Sequence, residues 1–224
     1  MDARPEPVEP RPTRALLLAA LLLVLGVAWI YAPVRAHGFV SYDDEVYLTA
    51  NPHVAQGLDP AEIGWVFTHA HAANYHPLTW IAHMLDVELF GLDDAGAHHL
   101  VNVALHALNA VLVLLLLQRL LGAPWAAFLG AALFAWHPLR VESVAWAAER
   151  KDVLCAFFFF LGLATLMIER RHLRRSLRIG AGFSVTLMLL YLPTTIDYSI
   201  AVTADMLQFR ESARSFAGRL NTLS

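Results

Sequence analysis

The chain has 224 residues, of which 58 % are hydrophobic and only 16 % charged, with a formal net charge of −3. Soluble domains run at roughly 45–50 % apolar and 25 % charged, so this composition, with its mean hydropathy of +0.51, excludes an ordinary soluble domain and marks an integral membrane protein. The acidic balance excludes a nucleic-acid binder, which needs a concentrated basic patch, and the single cysteine, Cys155, excludes an intrachain disulfide.

Residues 1–14 (MDARPEPVEPRPTR) are rich in Pro and charge and read as a short disordered cytoplasmic tail. Ala15–Tyr31 is an almost unbroken run of Leu, Ala and Val closed by aromatics, long for a signal-peptide core and without a clean small-x-small cleavage site, so it reads as a retained span. His37–His98 is too polar to cross a membrane. Within it, Asp59 reads as a helix N-cap with Pro60 at the first helical position and Glu62 in the first turn. The stretch HPLTWIAHMLDVELFG that follows has the spacing of an amphipathic helix lying in the interface.

Leu100–Leu121 is the second span, Pro124–Trp136 a shorter apolar stretch, Arg140–Asp152 a second polar segment and Val153–Ile168 a further span. Ile179–Leu192 is a weak fifth, broken by Gly180 and Gly182, and 193–224 is a divergent polar tail. The expected fold is therefore all-α: a multi-pass transmembrane bundle of four to five spans, with interfacial helices in a long first extracytoplasmic loop and residues 15–192 as one domain. Orientation follows from charge. The N-terminal tail holds Arg4, Arg11 and Arg14, and five arginines cluster between Arg170 and Arg178, whereas His37–His98 has no Lys or Arg. Positive flanks stay cytoplasmic, which places both polar segments together on the outside.

Three features of that outer surface point to chemistry. Asp43, Asp44 and Glu45 form an acidic knot just after the first span, where a carboxylate can act as a base on a lipid-borne substrate or simply mark a solvated loop. His99, Asn102, His106 and Asn109 are spaced by three, four and three, which puts them on one face of the second span and carries polar groups about 15 Å into it. Such groups face a cavity or a partner helix, since lipid cannot satisfy them. Arg150 and Lys151 precede a span, where two cations can grip a phosphate or snorkel. The histidines of the first loop and second span show no HExxH or CxxC spacing, so no protein-held metal is expected. A divalent cation shared between Asp43 or Asp44 and a substrate phosphate is compatible with the knot.

In the order YDDE (Tyr42–Glu45), HPLTW (His76–Trp80), HHLVNVALH (His98–His106), ALFAWHPLRVESVAW (Ala132–Trp146) and ERKD (Glu149–Asp152), these motifs resemble the membrane half of the transmembrane, tetratricopeptide-repeat O-mannosyltransferases and their bacterial relatives. The resemblance covers Gly38–Arg170 and implies a type C glycosyltransferase of a bacterial inner membrane. Such an enzyme transfers a mannose-like sugar from a polyprenyl-phosphate donor to a protein or glycan hydroxyl on the extracytoplasmic face. It implies Asp43 or Asp44 as general base, Arg150 and Lys151 on the donor phosphate, and a pocket shaped by Glu45, His76, His99, Asn102, His106, His137 and Glu142. From about His172 the resemblance ends, and a shortened chain is expected. A non-catalytic scaffold or remnant is the alternative; a transporter module is a third, opposed by the lack of an internal repeat.

Overall fold

The computed structural model describes residues 13–41, 43–72 and 74–168; the expected N-terminal tail up to residue 12, the fifth span and the C-terminal tail lie outside them. Among these residues seven α-helices run α1 (Thr13–Tyr31), α2 (Pro60–Val66), α3 (Pro77–Phe90), α4 (Ala95–Leu121), α5 (Pro124–Trp136), α6 (Val141–Ala145) and α7 (Arg150–Ile168). No strand occurs among the described residues, only an isolated bridge between His71 and Asn74. The fold is all-helical. Among the described residues, two helices, at Arg14–Ala36 and Ala95–Leu121, are long and apolar enough to cross a membrane. At 13 residues, α5 rises about 20 Å, short of the roughly 30 Å hydrocarbon layer.

Helices α1, α4, α5 and α7 pack as the bundle, around a core of Leu23, Val27, Val103, Ala110, Leu114, Ala127, Ala131 and Val153. Small residues set the spacing. A Cβ built on Gly26 of α1 would stand 2.5 Å from the Trp136 ring at the end of α5, so that crossing needs glycine. A second core, under the first loop, gathers Tyr47, Leu48, Val54, Val66, Trp80, Met84, Ala147 and Ala148. It joins the first polar segment to the second, 100 residues further on.

The caps explain the starts. Asp59 accepts a hydrogen bond from the Ala61 amide at 2.8 Å ahead of Pro60, and Glu62 sits in the first turn, as the sequence implies. Asp94 caps α4 in the same way through Ala97 and also holds Arg35 in a fork at 2.7 and 3.0 Å. Two boundaries differ from the sequence reading. Helix α4 begins five residues before Leu100, because the Asp94 cap starts it. The second polar segment ends at Glu149, and Arg150–Asp152 form the first turn of α7. That turn tolerates burial because Arg150 is neutralised there, and Asp152 complements the helix dipole.

Candidate functional site

The acidic knot is split between two roles. Asp44 is fully buried, and its two oxygens accept the backbone amides of Val40 (2.9 Å) and Ala148 (2.8 Å). The second bond spans 104 residues and pins the first loop to the second. Burial pushes the Asp44 carboxyl above its usual range, and the two amides pull it partly back. Asp43, one residue earlier, is half-buried, and Glu45 is exposed at the start of a single π-turn, Glu45–Thr49. Such turns insert one extra residue and redirect the side chains around them.

The polar stripe of α4 is buried at every position: His99, Asn102, His106 and Asn109 are each 0–2 % exposed. Each donates to a backbone carbonyl on another segment: His99 to Gly38 (3.2 Å), Asn102 to Trp146 (2.7 Å), His106 to Ala135 (2.9 Å) and Asn109 to Val153 (2.9 Å). The Ala135 carbonyl shows why. It lies in the last turn of α5, where carbonyls lose their helical partners, and the Leu139 amide four residues on donates to the His137 ring instead. Without His106 that oxygen would be stranded in an apolar core.

Arg150 lies inside the protein, not on its surface. It is 0 % exposed, with Nη2 donating to Asp86 at 2.6 Å and to the His98 carbonyl at 2.9 Å, and Nε donating to Asn102 Oδ1. Lys151 stands at the margin, its side chain 22 % exposed, 2.5 Å from Glu149 and 5.7 Å from the centre of the Tyr47 ring. Its charge, after burial, is the second cause that lowers the His76 imidazole to about 4, which brings His76, Lys151 and the Tyr47–Trp80 core into one neighbourhood. Glu142 is exposed on the second segment, and His137, exposed just before it, caps the short turn after α5.

Asp86 is the residue that sequence reading missed. The signal was present as the three-residue step from His83, which puts both on one face of α3. Burial raises the Asp86 carboxyl and Arg150 lowers it. His83, Asp86 and His98 offer ligand atoms within 4.8 Å of one another. His98 donates through Nε2 to the Gly91 carbonyl and turns Nδ1 toward Asp86 at 3.5 Å. Any divalent ion there would share Asp86 with the Arg150 guanidinium, and that charge opposes it. At the knot each Asp44 oxygen already accepts a backbone amide, which leaves it less available to a cation.

Comparison with known proteins agrees with the family resemblance. The chain is 36 % identical over 101 residues to protein O-mannosyl-transferase TMTC2 of Mus musculus, covering 45 % of this chain and 12 % of the relative. It is 36 % identical to TMTC4 of Homo sapiens, over 39 % of this chain and 14 % of the relative. With Tmtc1 of Drosophila melanogaster it shares 30 % identity over 201 residues, 86 % of this chain and 22 % of the relative. By sequence, the chain is similar to protein O-mannosyl-transferases of the TMTC group over 39–86 % of its own length. It spans 12–22 % of the length of these relatives. No protein-family model matches it, and no solved structure does.

Proposed function

We propose that this chain forms the donor- and acceptor-facing part of a membrane glycosyltransferase. It transfers a mannose-like sugar from a polyprenyl-phosphate donor to a protein hydroxyl on the outer face of a cytoplasmic membrane of bacterial type. The observation that carries this reading is the Asp44–Ala148 bond. It holds the acidic knot against the Trp146–Lys151 segment, which supports the reading that a carboxylate and a cation serve one outer surface at the mouth of the bundle. The relatives' names supply the reaction class.

In this arrangement Asp43 is the general base. Asp44 spends its oxygens on two amides, whereas Asp43 is half-buried and next to it, able to take the acceptor proton as the hydroxyl attacks the sugar. Lys151 meets the donor phosphate as a compact charge, stabilising the leaving group. His76 stands near Lys151 and Trp80, Glu45 is the exposed member of the knot, and the α4 stripe fixes the floor beneath.

The test is sugar transfer and donor affinity measured on the purified chain in a lipid bilayer. Asp43→Asn keeps the shape and removes proton acceptance, so turnover should fall by roughly 10²–10⁴-fold while donor affinity holds. Asp44→Asn should instead destabilise the fold, because an amide nitrogen then faces an amide donor. Near-normal transfer by Asp43→Asn would overturn the assignment. A non-catalytic scaffold is the second reading, favoured by how many of the polar groups (Asp44, Asn102, His106, Arg150) bond internally; absence of any transfer by the native chain in that assay would support it.

A further inference from the structure

We infer that Arg150 is a positioning residue, which acts through Asp86 to aim Lys151 and does not itself touch the donor; this rests on the reading that Lys151 meets the donor phosphate. Three bonds hold the Trp146–Arg150 stretch, one for every other residue. The Trp146 carbonyl accepts from Asn102 at 2.7 Å, the Ala148 amide donates to Asp44 at 2.8 Å, and Arg150 is fixed on Asp86 at 2.6 Å. The three anchors are Asn102 of α4, Asp44 near the start of the first loop and Asp86 of α3, separated in sequence from their partners by 44, 104 and 64 residues.

The guanidinium has no route to the outer surface. Its side chain is 0 % exposed, and Nη1, the one nitrogen without a hydrogen-bond partner, is buried as well. Lys151 follows at the next position of α7, about 100° around the helix, with 22 % of its side chain exposed. A rigid Arg150 therefore sets the azimuth at which Lys151 leaves the helix. Asn102 takes part from both ends, donating to Trp146 and accepting from Arg150 Nε, so the α4 stripe and the cation pair form one network. An arginine fits this post better than a lysine because its fork reaches a carboxylate, a carbonyl and an amide oxygen at once.

The distinguishing variant removes both charges together. A buried ion pair is often replaced by apolar residues of similar size without loss of packing, whereas removal of one partner strands the other. The variants are Arg150→Met, Asp86→Leu and the pair combined, each in a Cys155→Ser background with Ala147→Cys as reporter; Ala147 is 0 % exposed. Two readouts are taken: the rate at which a water-soluble maleimide labels position 147, and the donor KM and kcat for polyprenyl-phosphate mannose.

Arg150→Met should release the stretch, with labelling about tenfold faster and turnover down by about a hundredfold from misplacement of Lys151. The combined variant should return both labelling and donor KM to within about threefold of the parent. If it restores slow labelling but keeps the donor KM raised tenfold or more, Arg150 touches the phosphate and the inference is overturned. Unchanged labelling in Arg150→Met also overturns it. Should the parent transfer no sugar, the labelling arm still decides whether Arg150 holds the stretch, and the loss falls on the reading of function instead.

Discussion

At the scale of single residues, burial sets the pH response of the outer half. His76 is 4 % exposed at the head of α3, and enclosure together with Lys151 lowers its imidazole to about 4. An unfolded histidine titrates near 6.5, so between about 6.5 and 4 the unfolded chain binds a proton that the folded chain refuses. Stability then falls as the pH drops through that window, by roughly 3 kcal/mol for a shift of this size. His83, fully enclosed and beside Arg150, shifts in the same direction. Asp44, Asp86 and Glu149 are raised by burial and act in the opposite sense, binding protons more readily when folded. The expected outcome is that, between pH 6.5 and 4, the melting temperature of the native chain drops relative to that of His76→Gln. Equal slopes for the two proteins would remove His76 from the account.

At the scale of elements, what could be read from the sequence was what depends on neighbours along the chain. The Asp59-Pro60 start of α2 follows from local capping chemistry, and the one-sided stripe of α4 follows from 3.6-residue periodicity. The Arg150–Asp86 pair joins residues 64 apart, and no local pattern encodes it. The cation pair looked like a surface feature because its partner lay on another helix. The division of labour between Asp43 and Asp44 was likewise illegible, since it depends on an amide 104 residues away. Glycines make the same point. Gly96 in the first turn of α4 faces the Arg35 backbone so closely that a Cβ would lie 2.0 Å from its carbonyl oxygen, while Gly64 in α2 has open space around it. Gly96→Ala should therefore destabilise the chain by about 1–3 kcal/mol through forced separation of α4 from the end of α1. Gly64→Ala, in an exposed helical turn, should gain up to about 1 kcal/mol from helix propensity. Thermal unfolding in detergent compares them, and a tolerated Gly96→Ala would show that the close approach is dispensable.

At the scale of the whole molecule, two polar segments separated in sequence meet at one end of the bundle, and this end has a consequence for topology. Helix α1 runs toward it, α4 away, α5 back and α7 away, so the ends near Tyr31, Ala95, Trp136 and Arg150 gather there. The Arg35–Asp94, Asp44–Ala148 and Arg150–Asp86 contacts tie them together. The turn between α4 and α5, at Gly122 and Ala123, is at the opposite end. A segment from 37 to 98 with acids and no Lys or Arg belongs outside. The expected topology has Ala61 and Leu139, both exposed, facing the outside together and Ala123 facing the cytoplasm. Single cysteines at 61, 139 and 123 in a Cys155→Ser background test this with a membrane-impermeant maleimide on intact cells. Positions 61 and 139 should label before lysis and 123 only after it. Labelling of 61 and 123 from the same side would mean that α4 does not cross. The carboxylate assigned to the acceptor and the lysine assigned to the donor phosphate would then still share a surface, but a lipid-borne substrate arriving from the outer leaflet could not reach it.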